Sequence, residues 1–249
     1  MAAPSVSICP PDLSEAENWD PERERMKTLI SRHYLDDKGK EYVRARQATF
    51  FWKGLRINAE RLLPYLSPTD TVLDFGCGHG GILRLLKEYV TRIDGLEVNP
   101  AAAAIASESG GRIFASLDEI PKGSTYDAIV TNHCLEHVRD VCTTLEILRA
   151  SLRSGGRLVA VVPIDDFRTR HSRMWDRNDV DHHLATWTPR LFANVLYEAG
   201  FEVSECRVIT AAWHPRLFPL MVPGLSRIVC WATAVALRRR QLLAVATAP

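Results

Sequence analysis

From Thr71 onward the chain predicts an α/β fold, a three-layer sandwich around a doubly wound, mostly parallel sheet. Three observations carry this prediction. Short apolar, β-branched runs alternate with helical patterns, the order expected of a parallel sheet with helices on both faces. The run Thr71-Val72-Leu73-Asp74-Phe75 enters a glycine cluster, Gly76, Gly78, Gly80 and Gly81, and then the apolar face Ile82-Leu83-Leu85-Leu86. Such a strand–turn–helix unit builds a ligand site at the carboxyl edge of a parallel sheet. Finally, 249 residues with 46% hydrophobic content suffice to bury the core of one domain of this kind.

The elements follow in order. Strands are expected near residues 71–75, 92–97, 111–115, 126–131, 156–163 and 201–209, and helices near 80–90, 100–108, 140–153 and 189–199. Pro68-Thr69-Asp70 turns the chain into the first strand. Pro189 after Thr188 suits a first helical turn, and Gly200 suits a C-terminal cap. Residues 1–20, rich in Pro, Ser and acids, read as a loosely ordered N-terminus. Residues 21–69 read as a charged helical cap, and residues 70–249 as the α/β domain.

The glycine spacing by itself fits more than one ligand. Gly76, Gly78 and Gly81 satisfy G-x-G-x-x-G, and Glu97 lies about 20 residues on, where a dinucleotide fold places its ribose acid. Asp74 separates the readings. A carboxylate two residues before the turn would repel a pyrophosphate. It suits a ligand with a cationic group, such as the amino-acid end of S-adenosylmethionine.

Asp74-Phe75-Gly76-Cys77-Gly78-His79-Gly80 resembles the D-x-G-x-G-x-G signature of class I S-adenosylmethionine-dependent methyltransferases, in particular the small-molecule type 11 and type 12 groups. Gly95-Leu96-Glu97-Val98-Asn99-Pro100 is similar to the end of the family's second strand. Tyr126 to Val138 is similar to the fourth strand and the loop after it, and Leu152 to Pro163 to the fifth strand and its turn. The resemblance spans about Val72 to Phe201. It implies a seven-stranded sheet with a final antiparallel strand, S-adenosylmethionine as cofactor, and helices ahead of the first strand that cover it. It also implies a cofactor site of Asp74, Gly76, Cys77, Gly78, Glu97, Val98, Ser116, Leu117, Asn132 and His133, with Glu97 taking the ribose hydroxyls. Ser116 departs from the pattern, standing where relatives carry an Asp that meets the adenine amino group. Ser116 itself, Asp118 or backbone amides near Leu117 are the candidates for that contact.

Methyl transfer needs a nucleophile aligned with the sulfonium methyl, and an oxygen acceptor also needs a base. Histidine titrates near neutrality and suits that role. His133 and His137 follow the fourth strand, and His182 and His183 precede the helix at Pro189. His137, His133 and His182 are the catalytic candidates. A structural role stands beside each: His137 as a loop-holding residue, and His133 as backbone wall to the cofactor. Asp179, Asp181, His182 and His183 contain divalent-metal donors, but adjacent histidines often point apart, and no metal site is expected. Arg168, Arg170, His171, Arg173, Trp175 and Arg177 read as an anion-binding loop or a solvated lid.

Two further segments carry two readings each. No acidic residue follows Glu205, whereas Arg207, Arg216, Arg227, Arg238, Arg239 and Arg240 all do. The apolar run Ile228 to Leu237 is expected to be the final antiparallel strand; the alternative is a segment that docks on an anionic membrane surface. It is too short to span a bilayer. The three-proline stretch Trp213 to Gly224 walls the acceptor site or forms an interface, and is neither a regular helix nor a central strand. Tyr34, Tyr42, Phe50, Phe51 and Trp52 pack the cap or line the pocket.

A net charge of +1 argues against a nucleic-acid partner held by a broad basic face. The six cysteines lack metal or redox spacing, and the N-terminal residues show no signal pattern, so a cytoplasmic chain with free thiols is expected. The function expected is methyl transfer to an oxygen or nitrogen of a small-molecule acceptor. The alternatives are a non-catalytic S-adenosylmethionine-binding protein, a methyltransferase for a quinone- or lipid-like substrate at a membrane, and, third, a dehydrogenase.

Overall fold

A computed structural model describes residues 31, 33, 51–121, 123, 125–165, 174–177, 179, 181–222 and 224–249; the side chains of residues 51–53 and 215 lie outside the described set. The expectations for residues 1–20, for most of the cap and its aromatic side chains, and for Arg168, Arg170, His171 and Arg173 also lie outside it. The described part of the cap, residues 31, 33 and 51–69, includes helix α1, Phe51–Leu62.

Seven strands form one sheet: β1 Thr71–Phe75, β2 Arg92–Leu96, β3 Ile113–Phe114, β4 Tyr126–Asn132, β5 Leu152–Ile164, β6 Glu202–Ile209 and β7 Arg240–Thr247. Their order is β3-β2-β1-β4-β5-β7-β6. The β1–β5 group pairs in parallel, and β7 runs antiparallel between β5 and β6. This is the expected doubly wound sheet with an antiparallel final strand. The helices that follow α1 are α2 Gly81–Leu86, α3 Pro100–Ser107, α4 Val141–Ser151, α5 Pro189–Glu198 and α6 Ser226–Leu237.

Alternation along each strand sorts side chains into two cores, because successive Cβ atoms point to opposite faces. Leu73, Ile129, Leu158, Val162, Leu242 and Ala244 join Leu145 and Leu148 of α4 and Phe192 and Leu196 of α5 on one face. Val72, Val130, Val159, Val161, Leu243 and Val245 join Leu62 of α1, Leu83 and Leu86 of α2 and Ala106 of α3 on the other. The three layers follow from this period of two. Caps close the helices locally: Asn99 accepts from Ala101 and Ala102 at the start of α3, and Thr188 accepts from Leu191 ahead of Pro189.

The structure corrects one element. Ile228 to Leu237 is the helix α6, and the final strand is the later Arg240–Thr247. A short apolar run does not by itself separate a buried strand from a helix. Here Cys230, Thr233 and Ala234 are buried while Ile228, Trp231 and Val235 are exposed, a helical spacing. The true strand begins in the arginine cluster, whose charge reads as a solvated end, and its core is Leu242-Leu243-Ala244-Val245-Ala246, buried between two neighbours. The three-proline stretch contains a 3-10 helix, Pro215–Leu220. Ahead of it Trp213 lies so close to α1 that a Cβ on Gly54 would fall 2.1 Å from its ring. Because β6 is parallel to β5, this connection and α6 leave the sheet at the same edge as the glycine turn.

Candidate active site

Asp74 is the fourth residue of β1 and is 2% exposed. The chain then turns through Gly76, Gly78 and Gly80, all with positive φ, a conformation that suits glycine. A Cβ on Gly76 would lie 2.2 Å from Cys134 Sγ, so the loop after β4 sits directly on the turn. A Cβ on Gly78 would meet nothing within 4 Å, which makes Gly78 the open side. From the end of β2, Glu97 accepts hydrogen bonds from Gly78 N at 2.9 Å and Asn99 N at 2.7 Å.

The two carboxyls of this turn are unequally compensated. Burial, with a further push from the charge of Glu97, raises the Asp74 carboxyl to about 7, and Asp74 Oδ2 has no hydrogen-bond partner. Burial also raises Glu97, offset in part by the amides of Asn99, Gly78 and Val98. Buried carboxylates are costly unless a cation or donors compensate them. Two desolvated carboxyls beside an open glycine turn favour a ligand that brings positive charge and hydroxyl donors.

A second group forms where β4 and β5 end. His133 follows Asn132, has φ 55°, and is pinned by its N–H to Val161 O at 2.8 Å. A 3-10 turn, Leu135–His137, then buries Glu136 completely. Glu136 Oε1 lies 3.5 Å from His133 Nδ1 and 3.8 Å from His137 Nε2, and neither carboxyl oxygen makes a hydrogen bond. Burial pushes this carboxyl up to about 8 against the opposing pull of its own backbone N–H and of His183. His183 Nδ1 hydrogen-bonds Asp165, just beyond β5, and its ring lies 5.0 Å from that of His137. Burial would lower the His183 imidazole, but the Asp165 hydrogen bond and the charges of Glu136, Asp165 and Asp181 raise it on balance. The segment is laced in place by Leu184 N and Ala185 N on Glu136 O, and by Asp165 N on Thr186 Oγ1.

The chain matches the methyltransferase domain family over residues 45–205, well over half its length. It belongs to the family of class I S-adenosylmethionine-dependent methyltransferases. Among curated proteins it is 30% identical over 150 residues to the tRNA U34 carboxymethyltransferase of Shewanella piezotolerans (strain WP3 / JCM 13877), covering 55% of this chain and 45% of that protein. It is 28% identical over 175 residues to the 2-methyl-6-phytyl-1,4-hydroquinone methyltransferase of Synechocystis sp. (strain ATCC 27184 / PCC 6803 / Kazusa), covering 63% of this chain and 54% of that one. The chain thus spans about half the length of the curated relatives it matches. In fold it resembles a Haloferax volcanii methyltransferase solved in complex with the Trm112 methyltransferase activator, with a TM-score of 0.61 and 21% identity over 84% of this chain and 98% of that one.

Within this methyltransferase, Asp74, Gly76, Cys77, Gly78, Glu97 and Val98 converge at the ends of β1 and β2, and Asn132 and His133 at the adjacent end of β4. Asn132 Oδ1 is buried without a hydrogen-bond partner. Ser116 is half-buried before the 3-10 turn Leu117–Glu119, in which Leu117 is buried and Asp118 exposed. Of the histidines, His133 and His137 flank Glu136, while His182 stacks on His33 at 4.5 Å in a neighbouring cleft of about 360 Å³ that Arg139 and Leu184 also line. His183, rather than His182, joins the Glu136 group. Sequence reasoning missed Glu136 and Asp165. Glu136 sits inside Leu135-Glu136-His137-Val138, where a lone acid reads as solvated, and Asp165 meets His183 only through the fold.

Proposed function

We propose that the methyltransferase carries a methyl group from S-adenosylmethionine to an oxygen or nitrogen of a small-molecule acceptor at the carboxyl edge of β1, β4 and β5. The observation that carries this reading is the pair of carboxyls, buried Asp74 and half-buried Glu97, both raised by desolvation, around the open side of Gly78. Asp74 takes the cofactor's ammonium and Glu97 its ribose hydroxyls. Cys77 and Val98 wall the turn, Ser116 and Leu117 meet the adenine, and Asn132 and His133 close the site from β4.

His133 is the base for a hydroxyl acceptor. It stands at the strand end with a part-exposed ring, its Nδ1 3.5 Å from Glu136 Oε1. The acceptor oxygen attacks the methyl carbon, the carbon–sulfur bond breaks, and S-adenosylhomocysteine leaves as the proton passes to His133. A reaction of this kind needs alignment more than covalent help from the protein. Calorimetric titration with S-adenosylhomocysteine tests the cofactor site: Glu97→Ala should lose one or two charged hydrogen bonds, each worth about 1.5–3 kcal/mol. Unchanged affinity would remove Glu97 from the site.

A second reading concerns the acceptor, since the curated relatives name a tRNA and a hydroquinone. What supports a lipid- or quinone-like acceptor is α6. Its exposed Ile228, Trp231 and Val235 form an apolar face, with Arg227 and Arg238 to Arg240 at the two ends of the helix. Such a face fits an anionic membrane surface. Among the described residues no helix is long and apolar enough to cross a membrane. Turnover of labelled S-adenosylmethionine across phenols, amines, quinols in vesicles and tRNA separates these acceptors.

A further inference from the structure

We infer that Glu136, His137 and His183 form a binding site for a first-row divalent transition-metal ion beside the acceptor. One ligand atom from each lies within 4.8 Å of those of the other two, the group of this kind present among the described residues. The three come from two segments that the fold draws together, the loop after β4 and the stretch before α5, tied by Leu184 N and Ala185 N on Glu136 O.

Two independent observations point to a cation. Glu136 is 0% exposed, yet both of its carboxyl oxygens lack a hydrogen bond. A fully buried carboxyl with no donors is an exception among buried polar groups, and a metal ion would satisfy it. Asp165 holds His183 Nδ1, leaving Nε2 as the nitrogen able to ligate. A carboxylate on the far nitrogen is the usual support of a metal-bound histidine, fixing its tautomer and orientation.

Two imidazoles and one carboxylate suit Zn²⁺, Fe²⁺ or Co²⁺ better than Mg²⁺, and leave open positions. With one protein charge against two on the ion, the site retains positive charge and takes an oxygen ligand. The deeper role rests on the methyl-transfer reading above: a metal-bound acceptor hydroxyl ionises more readily. His133 stays outside the ligand set and receives that proton. The acceptor oxygen then forms its bond to the methyl carbon while the carbon–sulfur bond breaks. The substrate class favoured is therefore a phenol or other weakly acidic hydroxyl.

The test uses the untagged full chain freed of metal by chelation and titrated with Co²⁺ by visible absorbance and with Zn²⁺ by calorimetry. One equivalent should bind, with a ligand-field spectrum lacking a thiolate charge-transfer band. Glu136→Gln and His183→Ala should abolish binding, and Asp165→Asn should weaken it about 10–100-fold. S-adenosylhomocysteine affinity, measured in the same variants, reports that the fold is intact. Absence of binding in a chain that still takes S-adenosylhomocysteine overturns the metal site alone, as does binding that survives Glu136→Gln and His183→Ala. Metal binding without S-adenosylhomocysteine binding supports the metal site and overturns the cofactor reading instead.

Discussion

Replacing Asp74 by Asn should change how the protein's stability depends on pH. In the folded chain the Asp74 carboxyl titrates at about 7, against 3.8 for an ordinary aspartate, because burial and then Glu97 oppose its charge. The sign follows from proton uptake. Below the ordinary value both states hold the proton and Asp74 adds no penalty. Between the two values the unfolded chain is ionised and the folded chain is not, so stability falls as pH rises. Above about 7 both are ionised and the penalty is complete. A gap of about 3 pH units, at about 1.4 kcal/mol each, puts it near 4 kcal/mol. Asp74→Asn removes the charge and keeps the shape, so its stability relative to wild type should climb by a few kcal/mol between pH 4.5 and 8. Urea denaturation of both proteins at several pH values measures this. A difference that stays flat with pH would refute the argument. The same variant should bind S-adenosylhomocysteine more weakly above pH 7, where the ionised carboxylate of the wild type meets the ammonium; stronger binding would show that Asp74 faces no cation.

The glycine turn separates packing from ligand space. Gly76→Ala drives a Cβ into Cys134 and should cost at least 1–3 kcal/mol of stability as well as cofactor affinity, read by denaturation and calorimetry. Gly78→Ala adds strain at φ 56° but meets open space, so cofactor affinity should fall more than stability does. On α6, Trp231→Glu should leave the melting temperature nearly unchanged, since the side chain is exposed, and should reduce co-sedimentation with anionic vesicles; equal sedimentation of the two proteins would remove α6 from membrane binding. Leu148→Ala, in the fully buried core against α5, should cost about 2–5 kcal/mol by the same denaturation assay.

Much of this fold was legible because its signals are local. The β1 boundaries came directly from an apolar run between a Pro-containing turn and a glycine, and Pro189 and Gly200 marked the two ends of α5 as they lie in the structure. The parallel strands read well because burial on both faces demands continuous apolar sequence. The exception was the C-terminus, where a helix half-exposed on the surface and a strand buried between β5 and β6 have similar apolar content. Arg239 and Arg240 sit at a strand entrance that composition alone marks as solvent.

By itself the sequence determined the strands up to β6, the glycine turn and the acid that follows β2, since each depends on residues near one another in the chain. It also singled out two histidine pairs. Only the tertiary structure decided which members act together: the parallel pairing of β4 with β5 sets Asp165 beside the loop that carries Glu136, and the backbone of Glu136 holds the segment that presents His183. His182, one residue away, goes to a different cleft against His33. Burial decided the electrostatics in the same way, because a carboxyl's solvation depends on everything packed around it, and no local pattern in a sequence carries that information.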